Sequence, residues 1–399
     1  MAEKLAEVFE QYDMEILGTK KGRGAIILQT AEGLRILEPF RGSVTRLEQE
    51  DVLKQLFIKA GCNYLDQLIP NREGMLLTCD KYRQPYVLKR HFEGNECDMH
   101  SKKDIECAVR LLADFHTYGR TVALQFQEVW ENSRREKEEQ RIEEIQIAIA
   151  DGEELERIAY LYEISPSALA EALEQREEVK EKTKQEEQRV SLPKDNREIA
   201  DTFLRHNKEL KKIWQFITKV KQKNAFEKLF LNVFDQYYDQ GVSCAGMLPD
   251  MQQTNRSVSE KNIFVNHYGI CHGAYNQHNV ILGEDTAAIV HFERFSKGNQ
   301  LNDLYQFARK VMEKNHFDYN LFQMILQTYA RRIPLTKEDD FYFYILFSYP
   351  EKFWKIANGY YNANKAFLSP KYVEKLRMVI LQENEKREML EQYRGCALG

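Results

Sequence analysis

Short apolar or β-branched runs alternate with glycines at the start of the chain. Met14–Leu17 and Ala25–Thr30 are separated by Gly18, Gly22 and Gly24, and Gly33 punctuates before Leu34–Leu37. This is the pattern of strands joined by tight turns. Leu47, Val52, Leu53, Leu56 and Phe57 then recur at helical spacing. Two further strand-like runs, Gly74–Thr78 and Tyr86–Lys89, complete a reading of residues 1–92 as antiparallel β with one helix. After Gly94 the period becomes helical, with Ile105, Val109, Leu112, Phe115 and His116 on one face. More helices are expected at Ile199–Phe216 and Ala225–Gln240, then a β-rich patch at Val265–Phe292, then aromatic-rich helices to the end. A small β-rich lobe (1–92) followed by a larger helical one (93–399) is an α+β pattern.

Charge divides the second part. From Glu131 to Val190 there are 18 acidic and 10 basic residues, no Phe or Trp, and two Tyr. Runs such as Arg134–Glu139 supply i,i+4 pairs, so 128–198 reads as a solvated helical insertion. Across all 399 residues the charge is −5, too balanced for a chain-wide nucleic-acid footprint. The 43% hydrophobic and 12% aromatic content fits a packed core. The longest apolar stretch, Phe341–Tyr349, is about half of a membrane span. No signal-peptide pattern opens the chain, and seven cysteines without a C-x-x-C pair define neither a disulfide framework nor a zinc site. The expectation is a protein made in a reducing cytoplasm.

The chemistry-bearing segment runs from Ile270 to Leu282, with His272-Gly273-Ala274 and Asn279, followed by Ile289-Val290-His291-Phe292-Glu293 and Asn302-Asp303-Leu304. It resembles the loop H-G-D-x-x-x-x-N and the strand ending D-F-D/E of the kinase-like phosphotransferases, the aminoglycoside and choline kinases. The resemblance implies a bilobal protein-kinase-like fold. It also implies a loop carboxylate as general base, an Asn and an Asp holding Mg²⁺, and a lysine on the nucleotide phosphates. His272, Gly273, Asn279, Phe292, Glu293 and Asp303 match this pattern. The base position is Ala274, the metal position is His291, and the lysine position is Glu38. Arg35 is no substitute, because three residues along a strand it points to the opposite face. Glu48 and Glu50 on the following helix are left facing like charge unless Arg46 or Lys54 turns inward.

Hard Mg²⁺ prefers oxygen ligands to imidazole, and loss of a positioned base costs about 10²–10⁴-fold in rate. On the resemblance, no catalytic residue is intact, and Asn279 and Glu293 are residual metal-site positions. Glu38 and His291 are degenerate cofactor positions, no metal is held, and no cofactor is implied. Mg-ATP is the cofactor only if the protein is instead an atypical phosphotransferase.

A second resemblance lies at Tyr349–Lys365, which is similar to the P-E-K-F-W…N-x-Y-Y-N…K signature of the spore coat protein S (CotS-like) family of endospore formers. It extends to Tyr86–Cys97, Leu111–His116, Arg205–Lys212 and Ile270–Gly273. It implies a pseudokinase of the spore coat, made in the mother-cell cytoplasm. Such a protein would act as an interaction scaffold for other coat or morphogenetic proteins, without membrane or nucleic-acid partners.

Several features have plainer readings. His272 reads as a hydrogen-bonded structural histidine, and His278 and His291 lack a third ligand at defined spacing. Gly18, Gly22 and Gly24 fit a hairpin as well as a phosphate-covering loop. The stripe Tyr342, Ile345, Leu346, Tyr349, Phe353, Trp354 reads as core. Within the insertion, Leu155–Leu173 has helix-turn-helix spacing, but its second helix carries Glu171, Glu174, Glu177 and Glu178, which phosphate repels. An isolated helical hairpin, or a protein-docking module, is preferred to a regulatory DNA reader.

Overall fold

The structure, a computed structural model, describes residues 5–22, 24–150, 197–254, 267–284, 286–362 and 370–397. The expected helix-turn-helix therefore lies outside the described residues, as does most of the insertion.

The chain opens with a short helix α1 (Ala6–Phe9), the strands β1 (Ile16–Lys21), β2 (Ile26–Thr30) and β3 (Gly33–Pro39), and helix α2 (Val44–Lys59). Strands β4 (Leu68–Ile69), β5 (Thr78–Cys79) and β6 (Pro85–Arg90) complete an antiparallel sheet of order β1-β2-β3-β6-β4, with β5 also on β6. Between β1 and β2, Gly22 N–H donates to Ala25 O at 2.9 Å. The expected strand at 74–78 survives only as β5: Asn71 folds the chain into a turn by accepting from Glu73 and Met75 N–H. β4 had no sequence signal, since two residues pairing with β6 define no period.

Antiparallel register places Ile36 opposite Lys89, Leu37 opposite Leu88 and Glu38 opposite Val87. Alternation then sorts the faces. Leu37 and Leu88 join Val8 and Tyr12 in one core. Val87 joins Leu47 of α2 on the other side, so Glu38 and Lys89 also point towards α2.

β7 (Asn95–Glu96) leads into α3 (Lys102–Ala150), which continues unbroken through residue 128, where the insertion was expected to begin. Then come α4 (Arg197–Lys219), α5 (Ala225–Thr254), β8 (Tyr268–Cys271), β9 (Val280–Leu282), β10 (Ala287–Ile289) and β11 (Ser296–Asn299). The strands form two small sheets, β10-β9-β7 and β11-β8. The chain ends in α6 (Leu301–Lys314), α7 (Tyr319–Ala330), α8 (Lys337–Ser348), α9 (Glu351–Asn362) and α10 (Lys371–Ala397). α8 starts with a capping box between Thr336 and Asp339.

The main core joins the lobes: Leu53 and Phe57 of α2 pack with Ile105, Leu112 and Phe115 of α3 and with the β9–α8 region. A second core fills the space between α4, α5, α9 and α10, where Phe353 stacks on Phe230 (5.3 Å) and Tyr237 (4.4 Å). The aromatic stripe is core as expected, with Tyr342, Ile345, Leu346, Tyr349 and Phe353 buried and Trp354 half-buried. The six cysteines whose side chains are described are free thiols, and no described helix is long and apolar enough to cross a membrane.

Candidate functional site

The loop from His272 to Asn279 is built backwards from Asp303, in the first turn of α6. Its carboxylate is 1% exposed and accepts the backbone N–H of His272 (2.6 Å) and of Gly273 (2.9 Å). Gly273 has φ +74°, and a Cβ there would collide with the Arg294 carbonyl, so only glycine makes this turn. His272 is fully enclosed. One ring nitrogen donates to Val290 O at 3.0 Å and the other accepts from Ala274 N–H at 3.2 Å. Burial holds this imidazole below its usual pKa, so it is neutral and structural. Asn279 donates its amide to Ala274 O at 2.9 Å, tying the two ends of the loop together.

A stack of rings supports the loop from below: Phe292 lies 4.7 Å from His272 and 5.7 Å from Phe115, which stacks on Phe57 of α2 at 4.8 Å. His116 completes the base, with its ring between Tyr329 O–H (2.8 Å) and Asp303 (3.4 Å).

Above the loop the cleft is occupied by charge. Lys54 turns inward from α2 and pairs with Glu50 (2.5 Å) and Asp66 (2.7 Å). Lys89, on the α2-facing side of β6 and 4% exposed, has Glu293 at 3.3 Å, Glu38 at 3.6 Å, Glu50 at 3.9 Å and Asp66 at 4.0 Å. Burial alone would depress the ammonium, but the surrounding carboxylates, Asp66 first, raise its pKa well above normal. Glu293 is affected in the opposite sense. Burial would raise it, yet the His291 hydrogen bond and Lys89 hold it well below the usual carboxylate range. His291 sits at φ +67° with Nδ1 3.5 Å from Glu293, and that contact raises its pKa.

Solved structures share the fold. The chain superposes on an aminoglycoside phosphotransferase from Alicyclobacillus acidocaldarius with a TM-score of 0.68 at 12% identity, covering 98% of this chain and 95% of that one. The fold is that of the aminoglycoside phosphotransferases. A spectinomycin phosphotransferase in complex with ADP and spectinomycin aligns at TM-score 0.50 and 12% identity, over 98% of both chains. No family model and no curated protein matches the sequence.

Within the aminoglycoside phosphotransferase fold, the expected site residues come together in one cleft: Ala274, Asn279, His291, Glu293 and Glu38 all border the Lys89 cluster or the loop beneath it. At three of the expected positions the donors are poor ones for Mg²⁺. Ala274 offers a methyl group, His291 an imidazole committed to Glu293, and Glu293 a carboxylate committed to Lys89, whereas Mg²⁺ demands hard oxygens in near-octahedral array. His278 lies apart at the surface, paired with Glu96. Among the described residues, no group of three or more His, Cys, Asp or Glu is placed to hold a metal.

Of the two cations expected to relieve the like charge beside Glu38, Lys54 is the one that turns in on Glu50. Lys89, which was not expected there, reaches Glu38 from the neighbouring strand. Arg46 instead lies 3.5 Å over the Phe295 ring, while Glu48 faces outward to Lys137 at 2.9 Å. Arg35 stays at its hairpin, hydrogen-bonded to Glu32 and Leu34 O.

Sequence reasoning missed Lys89 and Asp66. Lys89 carried a signal, since it alternates with Val87 on one strand face. Asp66, in the loop between α2 and β4, carried none.

Proposed function

We propose that this chain is a kinase-fold protein that has lost phosphoryl-transfer chemistry and works by binding other proteins. The observation that carries the reading is the Lys89 ammonium, enclosed by Glu38, Glu50, Asp66 and Glu293 above the loop that holds Ala274. Counting Lys54, the cluster holds two cations against four carboxylates, a field that opposes a polyanion in a cleft of low dielectric. Partners drawn from a spore coat, and location there, rest on sequence resemblance alone, carried chiefly by Tyr349–Lys365. Of that segment, residues 363–365 lie outside the described residues. In the rest, Trp354 stacks on His206 at 3.3 Å and donates to Glu209 at 2.8 Å. Two stretches sharing the resemblance thus pack on each other.

A thermal melt with saturating Mg-ATP, together with phosphate release, tests the reading. A ligand at 100 times its Kd stabilises by about 2.7 kcal/mol, so an unshifted melt and no turnover are expected. Turnover abolished by Asn279→Ala would overturn it.

A second reading is an atypical ATP-dependent phosphotransferase acting on a small molecule or protein. It is favoured by the end-to-end likeness to aminoglycoside and spectinomycin phosphotransferases and by the loop that Asp303 still holds in shape. Asn279 and Glu293 would then face the metal, and Glu293 would have to leave Lys89. A regulatory role for the 128–198 insertion is a third class, and salt-sensitive DNA binding lost on its deletion would support it.

A further inference from the structure

We infer that the segment from Ile289 to Phe295 and the small lobe form a built-in latch, which keeps the cleft shut without any ligand. The contacts come from three directions. From the α2–β4 loop, Tyr64 O accepts Ile289 N–H at 2.9 Å, and Asp66 accepts His291 N–H at 3.0 Å. From the sheet, Lys89 reaches Glu293 at 3.3 Å. From α2, Arg46 donates to the carbonyls of Glu293 (3.4 Å) and Phe295, and its guanidinium covers the Phe295 ring. Leu65 also bridges to Ile289 as a parallel partner.

These contacts differ from the apolar packing that joins α2 to α3. Every one but the Phe295 stack is polar and directional, and they converge on one short stretch beside the loop that carries Ala274. Glu293 is the outermost member, with its side chain 55% exposed, yet it is drawn onto an amine that is almost wholly enclosed. The inner carboxylates, Glu50 and Asp66, already have Lys54. Lys89, held within its own lobe by Glu38, Glu50 and Asp66, is the amine that also reaches across the cleft to Glu293. The latch concerns contacts between lobes, so it holds for either reading of the cleft. In a scaffold it gives a rigid closed surface. In an atypical phosphotransferase it is an autoinhibitory contact that a nucleotide must displace.

Hydrogen–deuterium exchange on the full chain, without nucleotide, tests this directly, because the Ile289 and His291 amides donate to acceptors in the other lobe. In the wild type both are expected to be protected. In Lys89→Met and in Glu293→Gln their exchange is expected to rise at least tenfold, while α4 and α5 (197–254) keep wild-type rates. Glu293→Gln changes a half-exposed side chain and keeps the test decisive if Lys89→Met unfolds. Fast exchange at 289–291 in the wild type, or wild-type rates in Glu293→Gln, would overturn the latch. Phosphate release measured on the same samples separates the two claims: Mg-ATP turnover by the wild type overturns the scaffold reading and leaves a protected 289–291 segment, and hence the latch, standing.

Discussion

The carboxylate of Asp303 receives the backbone N–H of His272 at 2.6 Å, a strong anchor for a loop whose reactive position is an alanine. The anchor, the glycine turn and the ring stack together fix the backbone beneath Ala274 and His291.

Asp303→Ala should cost stability heavily. It leaves the His272 and Gly273 amides without acceptors and removes the carboxylate beside His116. Breaking such a buried, hydrogen-bonded charge is worth about 3–5 kcal/mol. Chemical denaturation followed by circular dichroism measures it, and a loss below 1 kcal/mol would mean the loop holds itself.

Gly273→Ala is expected to lose about 2–4 kcal/mol, from the left-handed backbone and from the clash with the Arg294 carbonyl. Gly246→Ala is the control, because that helical position has open space around it. Alanine there should be neutral or slightly stabilising, and the two melts compared side by side check the claim.

Phe353→Ala should cost about 3–5 kcal/mol, as expected for a fully buried ring. Its neighbours Phe230 and Tyr237 stack on it in the second core. Tyr361→Ala, at a side chain 43% exposed nearby, should change the melt little. Equal effects would show that this signature serves the surface rather than the core.

Acid should weaken the fold through its enclosed histidines. Burial pushes His206 down to about 4, and His116 and His272 lie below normal for the same reason. In the unfolded chain each titrates near the reference value of 6.5. Below pH 6.5 the unfolded state therefore binds protons that the native state refuses. Stability is full above that pH and falls towards pH 4, His206 alone contributing on the order of 2–3 kcal/mol. Denaturation midpoints between pH 7 and 4 should show this slope, and His206→Gln should flatten part of it.

His291 has the opposite sign. Its pKa is raised by Glu293, so its contribution is present below pH 6.5 and disappears as pH rises through the folded value. His291→Gln should thus cost more at pH 6 than at pH 9, and equal losses at both would mean the imidazole contact is neutral.

The α+β order of elements was legible from the residues alone, because period-two and helical runs are local properties read within a dozen residues. The identities at the cleft positions, Ala274, His291 and Glu38, were likewise legible without any coordinates. Where an element depends on its partner, local pattern was silent: β4 exists only because Leu68 and Ile69 pair with β6, and the helical period of α3 runs straight through a change of composition at 128. Glu38 appeared in the sequence as a bare negative charge. Only the antiparallel register, which sets it diagonally from Lys89 and turns both towards Glu50, Asp66 and Glu293, decided that it is paired. Charges more than fifty residues apart in the chain meet at under 4 Å through strand pairing and helix packing, and no spacing rule along a single chain encodes that distance.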